Sequence, residues 1–258
     1  MKKTPEKPIL FSAPMVQAIL RGAKSQTRRV VAASDHPALH HWTYKNSVDG
    51  FMGIPQAVTP AVAQQYVTTF PLWRRCPYGA PGHNLWVRET WMPDFPQNAE
   101  WADVEFFGCG MRDFSLVPDK YKTPSHCLYR ATWTGSELVG WKPSIHMHRW
   151  ASRITLPITK IRIERLHDIS AADAIAEGIE PVSLGGEIVG WTDYMHQGDG
   201  VLYFGSSKGV GHPVEPSDFA PQQSYFSLWR AINGEESFKK NPWVWVVEFQ
   251  PPEGKTNE

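Results

Sequence analysis

The sequence predicts an α/β (α+β) domain in which mostly antiparallel strands form a barrel flanked by helices. Three observations favour this class. Short apolar segments alternate with the two-residue period of strands, as in Leu85–Trp91. A longer segment, Arg153–Leu166, changes its alternation phase near Thr159, which indicates the kind of bulge that a small closed barrel needs. Helical spacing is found in three short stretches, near 14–21, 171–178 and 222–233.

The first predicted strand begins at Ile9–Phe11 and leads into a helix over 14–21. Pro14 is compatible with the first turn of that helix, and Gly22 suits the position just after its end. The chain is then expected to turn and to become extended over Thr27–Val31.

Two further helices and the last strand are predicted from capping residues and from the spacing of apolar residues. Ser170 is the predicted N-cap of the helix at 171–178. The helix near 222–233 is amphipathic and ends close to a glycine. Trp243–Phe249 is apolar on both faces except at Glu248, a pattern typical of a central strand.

Three long segments interrupt these elements and are predicted to be loop insertions in one domain spanning residues 1–258. They cover about 32–71, 92–124 and 180–216. The first is expected to be irregular with one helix over 61–67. The third is glycine-rich and is expected to form a mobile surface insertion or lid.

Composition excludes some classes of protein. The 26 basic and 26 acidic residues give a formal charge of zero, which argues against a protein that coats duplex DNA. The three cysteines lack paired spacing and fit a reducing cytoplasm. No signal-peptide pattern or membrane-length apolar run is seen, so a cytoplasmic location and no membrane association are expected.

Two short segments carry the candidate chemistry. The first, Gly22–Arg29, contains a lysine, a threonine and two arginines within six residues: Lys24, Thr27, Arg28 and Arg29. In the second, the strand at 85–91, Glu89 shares one face with three apolar residues. A carboxylate there is costly unless it is paired or functional, and Lys24 is the expected partner. Lys24 and Thr27 converge only if a tight turn lies between them.

These segments resemble the ASCH domain family of PUA-like β-barrels, which are associated with RNA and modified nucleosides. The resemblance is carried by the motifs Gly-x-Lys-x-x-Thr-Arg-Arg, Trp-Val-Arg-Glu-Thr and the ending Trp243–Phe249. Cys76–Gly79 and Pro143–Trp150 resemble long versions found in bacteriophages and prophages, which implies that the expected cytoplasm is that of a bacterial host cell. Four blocks are covered, at about 9–31, 76–91, 127–180 and 225–249. The resemblance implies a PUA-like barrel whose cleft, between the Lys24 turn and the Glu89 strand, suits a single nucleotide.

Members of this family that remove the acetyl group from N4-acetylcytidine use a Lys, Thr and Glu set. Lys24 and Thr27 match the Lys-x-x-Thr motif here, and Glu89 is the best match for the glutamate. The resemblance implies that a buried lysine acts as the base, that the threonine attacks the acyl carbon, and that the glutamate orients or shuttles protons. The alternative is a Lys24–Glu89 ion pair that only stabilises the turn.

Other polar and aromatic residues are candidates for substrate binding. An arginine that reaches the cleft can hold a phosphate or a base edge, whereas a surface arginine pairs with acidic neighbours. Trp150 is a candidate for stacking on a base, and Arg149 for binding phosphate. The full set is Arg28, Arg29, Arg88, Ser144, His146, Arg149 and Trp150. In an extended segment His146 and His148 would share a face, yet no carboxylate or cysteine accompanies them, so neither a metal nor a cofactor is expected.

The sequence leaves several functions open. The leading hypothesis is recognition of a modified nucleoside or nucleic acid, with hydrolysis of an N-acyl group from the base as the candidate reaction. The alternatives are a non-catalytic RNA- or DNA-binding module of a phage, a single-strand ribonuclease using Lys24, Arg28 and a nearby Ser or His, and a phage assembly factor. A nucleoside or single-stranded nucleic acid is the expected partner in the first three, and the oligomeric state is left open.

Overall fold

In a computed structural model of the chain, the backbone is described in eight ranges. These are residues 4–31, 39–45, 50–55, 73–94, 118–135, 140–197, 201–205 and 220–252. The described part is a mixed α/β structure with few helices and mostly antiparallel sheets, which confirms the coarse fold class.

The described residues contain thirteen strands. They are β1 Glu6–Leu10, β2 Gln26–Val30, β3 Leu39–Lys45, β4 Gly50–Pro55, β5 Trp73–Arg74, β6 Asn84–Arg88, β7 Trp91–Pro93, β8 Cys127–Tyr129, β9 Thr155–Arg165, β10 Pro181–Leu184, β11 Glu187–Gln197, β12 Val201–Gly205 and β13 Trp243–Phe249. Five of them pair in the order β1-β6-β9-β13-β2. Only the β1–β6 pairing in this sheet is parallel. No closed barrel is found among the described strands, so the barrel remains a prediction.

Four α-helices lie in the described residues, and the three predicted ones are among them. They are α1 Ala13–Leu20, α2 Ala171–Ala176, α3 Ala220–Asn233 and α4 Glu235–Lys239. The predicted N-cap of α2 is confirmed, because the Ser170 hydroxyl accepts a hydrogen bond from Asp173 N–H at 3.1 Å. None of the helices in the described residues is long and apolar enough to span a membrane.

The predicted bulge in β9 is confirmed. Opposite β13, Lys160 pairs with Glu248 and Ile158 pairs with Phe249, so Thr159 is the extra residue. The bulge lets apolar residues on both sides of it, Ile158 and Ile161, be buried. It also directs the polar residues that follow toward α2, where the candidate site lies.

Two predicted insertions contain regular structure instead of loops alone. Within 32–71, β3 and β4 form an antiparallel hairpin, while the helix predicted at 61–67 lies outside the described residues. Within 180–216, β10, β11 and β12 form a three-stranded antiparallel sheet. Gly185 and Gly186 connect β10 to β11 with positive φ values of 62° and 91°, the conformation that tight hairpins require.

The chain divides into two compact units, and each has its own apolar core. The first unit comprises residues 1–22, 82–157 and 251–258, and the second comprises 23–81 and 158–250. The first core contains Trp91, Tyr121, Tyr129 and Met147. The second core joins α2, α3 and β13 through Leu166, Ala174, Tyr225, Trp229 and Val246. The single-domain prediction is not tested by this division.

Candidate functional site

The candidate catalytic lysine lies in the extended segment after α1. Gly22 follows the helix with a φ of 72°, a left-handed conformation that glycine adopts at little cost. The turn lies at residues 21–22, before Lys24, and not between Lys24 and Thr27 as predicted. Lys24 forms an isolated antiparallel bridge with Glu177, and Ser25 N–H donates to the carbonyl of the last residue of α2 at 2.9 Å. The segment is therefore fixed against the C-terminal end of α2.

Lys24 and Glu177 form a buried ion pair. Lys24 Nζ donates to Glu177 Oε2 at 2.8 Å and to the Glu177 carbonyl oxygen at 2.6 Å. Lys24 is fully buried, and the side chain of Glu177 is 5% exposed. Desolvation lowers the pKa of Lys24, and the attraction of Glu177 opposes this effect without cancelling it. The partner of Lys24 is thus Glu177, whereas the sequence predicted Glu89.

Arg28 shares this carboxylate with Lys24. Its Nη1 donates to Glu177 Oε1 at 3.0 Å, and its Nε donates to Glu164 Oε1 at 3.1 Å. Its Nη2 also lies 3.3 Å from Asp173 Oδ2. Because the Arg28 side chain is fully buried, its charge is balanced by these carboxylates and not by solvent.

Arg162 links the remaining carboxylates. Its Nε donates to Glu164 Oε2 and its Nη2 to Asp173 Oδ2, each at 2.9 Å, and its Nη1 donates to Glu248. Lys160 Nζ lies 3.9 Å from Glu248 Oε1, so the resulting charge network consists of Lys24, Arg28, Lys160, Arg162, Glu164, Asp173, Glu177 and Glu248. Four cations thus alternate with four carboxylates, so each charge has at least one partner of opposite sign.

Thr27 and Arg29 lie on the other face of β2. Gln26 and Arg28 direct their side chains to the charge network, and successive strand residues alternate in direction. Thr27 is 1% exposed and pairs with Val247 across the sheet. Arg29 hydrogen-bonds Tyr78, which opposes the rise in the pKa of Tyr78 that burial causes. The structure therefore brings Lys24 together with Arg28 and separates Thr27 from both by its direction.

The functional candidates missed in the sequence include Glu177 and Tyr225. Glu177 follows α2 directly, where the negative end of the helix dipole disfavours a carboxylate. An acidic residue in that position is a sequence signal for a nearby cation. Tyr225 on α3 is buried, burial holds the pKa of its hydroxyl well above the usual value, and its ring centroid lies 5.7 Å from the Arg28 guanidinium carbon.

Glu89 pairs with an arginine of its own unit. Arg153 Nε donates to Glu89 Oε1 at 2.9 Å, and Arg153 Nη2 donates to Glu89 Oε2 at 3.0 Å. The same guanidinium donates to Thr132 and lies 3.9 Å from the ring centroid of Tyr129. Burial raises the pKa of Glu89, and Arg153 opposes this. The prediction that Glu89 lies on a buried face is confirmed, since it is 1% exposed, and its partner is Arg153.

Arg88 and Arg149 both contact one tryptophan in the first unit. Their guanidinium carbons lie 5.4 Å and 5.9 Å from the ring centroid of Trp86, within the range of cation–π contacts. Arg88 also donates to the carbonyl of Ile145. Arg149 donates to both carboxylate oxygens of Glu6, at 2.8 Å and 3.1 Å, so its charge is largely neutralised.

The remaining predicted residues lie in two short 3-10 turns, Ser144–His146 and Arg149–Ala151. His146 is exposed, while the Trp150 ring contacts Trp91 edge-on at 5.5 Å. The ring of His148 stacks on Trp150 at 6.2 Å. Because Ser144–His146 is not extended, His146 and His148 do not follow strand alternation. Within the described ranges, no three His, Cys, Asp or Glu residues are grouped as metal ligands.

Comparisons with known proteins add no family to this description. No protein-family model, no curated protein and no solved structure matches the chain significantly.

Proposed function

We propose that this chain hydrolyses an N-acyl group from a modified nucleobase, with Lys24 as the proton acceptor and Glu177 as the carboxylate of the set. The observation that supports this proposal is the fully buried Lys24 in contact with the Glu177 carboxylate. A lysine accepts a proton only in its neutral form, and desolvation favours that form by lowering the pKa of Lys24. Glu177 replaces Glu89 in this role because Glu89 is held by Arg153.

In the proposed reaction, Thr27 Oγ1 adds to the acyl carbon and its proton passes to Lys24 Nζ. Because the two side chains lie on opposite faces of the extended segment, this step requires β2 to rearrange when the substrate binds. Protonated Lys24 gives this proton to the amino nitrogen of the base, and the C–N bond breaks. Water then cleaves the acyl ester on Thr27 and releases a carboxylic acid. Glu177 orients Lys24 and stabilises its ammonium form during these steps. The Thr27 side chain lies on the face of β2 opposite to the charge network. Its assignment as the nucleophile therefore rests on the Lys-x-x-Thr resemblance alone.

Turnover of acylated nucleosides tests this proposal. The full chain is incubated with N4-acylcytidines and N6-acyladenosines, and loss of the acyl mass is followed by mass spectrometry. Lys24→Met and Glu177→Gln are expected to abolish turnover, while Lys239→Met, which changes a lysine that is 61% exposed and lies outside the charge network, is the matched control. Thr27→Val tests the nucleophile separately. Full turnover in Lys24→Met, or none by the wild-type chain on any substrate, would reject the proposal.

A second candidate function is the binding of single-stranded nucleic acid without chemistry, as a PUA-like module. It is favoured by Arg88 beside Trp86, because guanidinium groups contact phosphates and aromatic rings stack on bases. Within the described residues Arg88 makes no ion pair, so its charge is available to a polyanion.

Fluorescence anisotropy with labelled single-stranded RNA at several salt concentrations tests this candidate. Trp86→Leu is expected to weaken binding at every salt concentration, and Arg88→Gln to reduce the salt slope by about one phosphate contact. Lys239→Gln, an exposed lysine of the other unit, is the control. Binding that is equal in all three variants would rule out this surface.

A further inference from the structure

A cavity of about 390 Å³ lies in the second unit beside the charge network. Its lining comes from the start of β2, the bulge of β9, one face of α2 and the end of β13. The polar lining residues are Ser25, Gln26, Thr159, Asp173 and Glu248. The apolar ones are Ala172, Ala176 and Phe249. This volume lies within the range of small-molecule sites in proteins.

Two side-chain oxygens of the lining residues accept no hydrogen bond within the described residues, so the cavity offers mainly acceptors to a ligand. Gln26 Nε2 donates to the Asp173 carbonyl at 2.5 Å and to Asp173 Oδ1 at 3.1 Å, which fixes the orientation of the amide. Its Oε1 accepts no hydrogen bond within the described residues, although Gln26 is only 1% exposed. Glu248 Oε1 accepts from Arg162, whereas Glu248 Oε2 accepts no hydrogen bond from the same part of the chain.

Two hydroxyl groups complete the polar lining. The side chains of Ser25 and Thr159 make no hydrogen bond within the ranges that the structure describes. A hydroxyl can donate or accept a hydrogen bond. The Ser25 and Thr159 hydroxyls can therefore pair with either a donor or an acceptor of the ligand, whereas Gln26 Oε1 and Glu248 Oε2 require donors. Gln26 is only 1% exposed, so water has little access to its Oε1, and a ligand that supplies a donor gives this acceptor a hydrogen bond that solvent provides poorly.

We propose that this cavity binds a small amino-substituted nitrogen heterocycle, such as an adenine or cytosine base, through its N–H donors. An amino group is a double donor and can satisfy Gln26 Oε1 and Glu248 Oε2. Phe249 and the two alanines provide apolar walls for a flat ring. A cationic amine is a poorer fit, since the carboxylates of the charge network, Asp173 and Glu248 included, are balanced by an equal number of cations.

The proposal predicts a preference that matched ligands can measure. Adenosine and inosine differ by an amino group in place of a carbonyl oxygen, and so do cytidine and uridine. Isothermal titration calorimetry and ligand-detected NMR with the full chain are expected to show binding that is tighter for the amino member of each pair by about tenfold or more. Equal affinity within both pairs, or binding of spermidine but of no nucleoside, would overturn it.

Glu248→Gln provides a sharper test. Arg162 holds the side-chain oxygen of the new amide, so its NH2 group then faces the cavity as a donor. The preference is expected to move toward inosine and uridine, while Glu187→Gln at an exposed position leaves it unchanged. Ala172→Leu, at the exposed rim on α2, is expected to weaken all binding by obstruction, and Ala171→Leu one residue away is its control. An unchanged preference in Glu248→Gln together with unchanged affinity in Ala172→Leu would place the ligand elsewhere.

The inference does not require the hydrolysis proposed above. Thr27→Val removes the proposed nucleophile and lies outside the cavity lining, so it is expected to keep nucleoside binding intact. Absence of turnover with intact, amino-selective binding would reject the hydrolase alone. Turnover without amino-selective binding would reject the cavity assignment alone.

Discussion

Replacing Glu177 with glutamine is the most informative perturbation of the charge network. The substitution keeps the size and shape of the side chain and removes its charge. Lys24 and Arg28, whose side chains are both fully buried, then lose the carboxylate that they share. Arg28 keeps its hydrogen bond to Glu164, and Lys24 keeps its hydrogen bond to the Glu177 backbone carbonyl, but neither cation retains the charge of Glu177.

The expected loss of stability is large. Breaking a buried ion pair by removing one partner costs about 3–5 kcal/mol, because the other charge stays desolvated. A domain of this size loses about 2–4 °C of melting temperature for each kcal/mol, so Glu177→Gln should melt about 6–20 °C below the wild type. Adding Lys24→Met removes the unpaired cation, and the double variant is expected to recover about 1–3 kcal/mol relative to the sum of the two single changes.

Urea unfolding followed by tryptophan fluorescence measures these free energies. The control is Glu236→Gln, which breaks an ion pair on α4 whose side chains are 82% and 61% exposed. Exposed pairs contribute little, so this control should leave the unfolding midpoint within error. The reasoning is refuted if Glu177→Gln is no more costly than the control, or if the two changes at the buried pair are additive.

Three further predictions follow from other groups. The pKa of Lys24 is lowered on folding, so Lys24 favours the folded state fully only above its unfolded pKa and loses this contribution as pH falls. Urea unfolding from pH 8 to 10 should therefore show the stability of the wild type rising relative to Lys24→Met, and a flat difference would contradict this. Glu89→Gln should cost about 1–3 kcal/mol by weakening its pairing with Arg153 while keeping turnover of acylated nucleosides, and loss of turnover would return Glu89 to the catalytic set. Burial raises the pKa of Cys76 to about 11 and that of Cys127 to about 12, so neither thiol should be alkylated in the folded protein at pH 8, as peptide mass spectrometry can check.

Local features were predictable because each depends on a few neighbouring residues. The alternation around Glu89 placed its side chain on a buried face, and the phase change in β9 located the bulge at Thr159. The Ser170 cap and the central position of β13 were equally visible. The sheet in 180–216 was missed because glycine content outweighed its aromatic and β-branched residues. A Gly-Gly pair before Glu187–Gln197 was the available hairpin signal.

The partner of Lys24 could not be found in the same way. Glu177 is 153 residues away, and it reaches Lys24 only because α2 packs where Ser25 can bond its last carbonyl. Glu89 was the nearer carboxylate in the sequence and was predicted to be buried, so it required a cationic partner. That partner is Arg153, which lies just before β9. Sequence spacing identifies which charges need partners, whereas the tertiary fold decides which partners they receive.

The position of Lys24 also bears on how structural and catalytic roles can be separated. A buried ion pair is weak evidence for a stabilising purpose, because apolar side chains of similar volume are often as stable in the same place. Burial that lowers the pKa of Lys24 makes its charged form less favourable, yet it provides the neutral amine that proton transfer needs. If the pair is purely structural, the Lys24→Met and Glu177→Gln double variant recovers stability and no activity is lost with it. If Lys24 is the base, the same double variant recovers stability but has no turnover. The two measurements on this one variant therefore distinguish a structural role from a catalytic one.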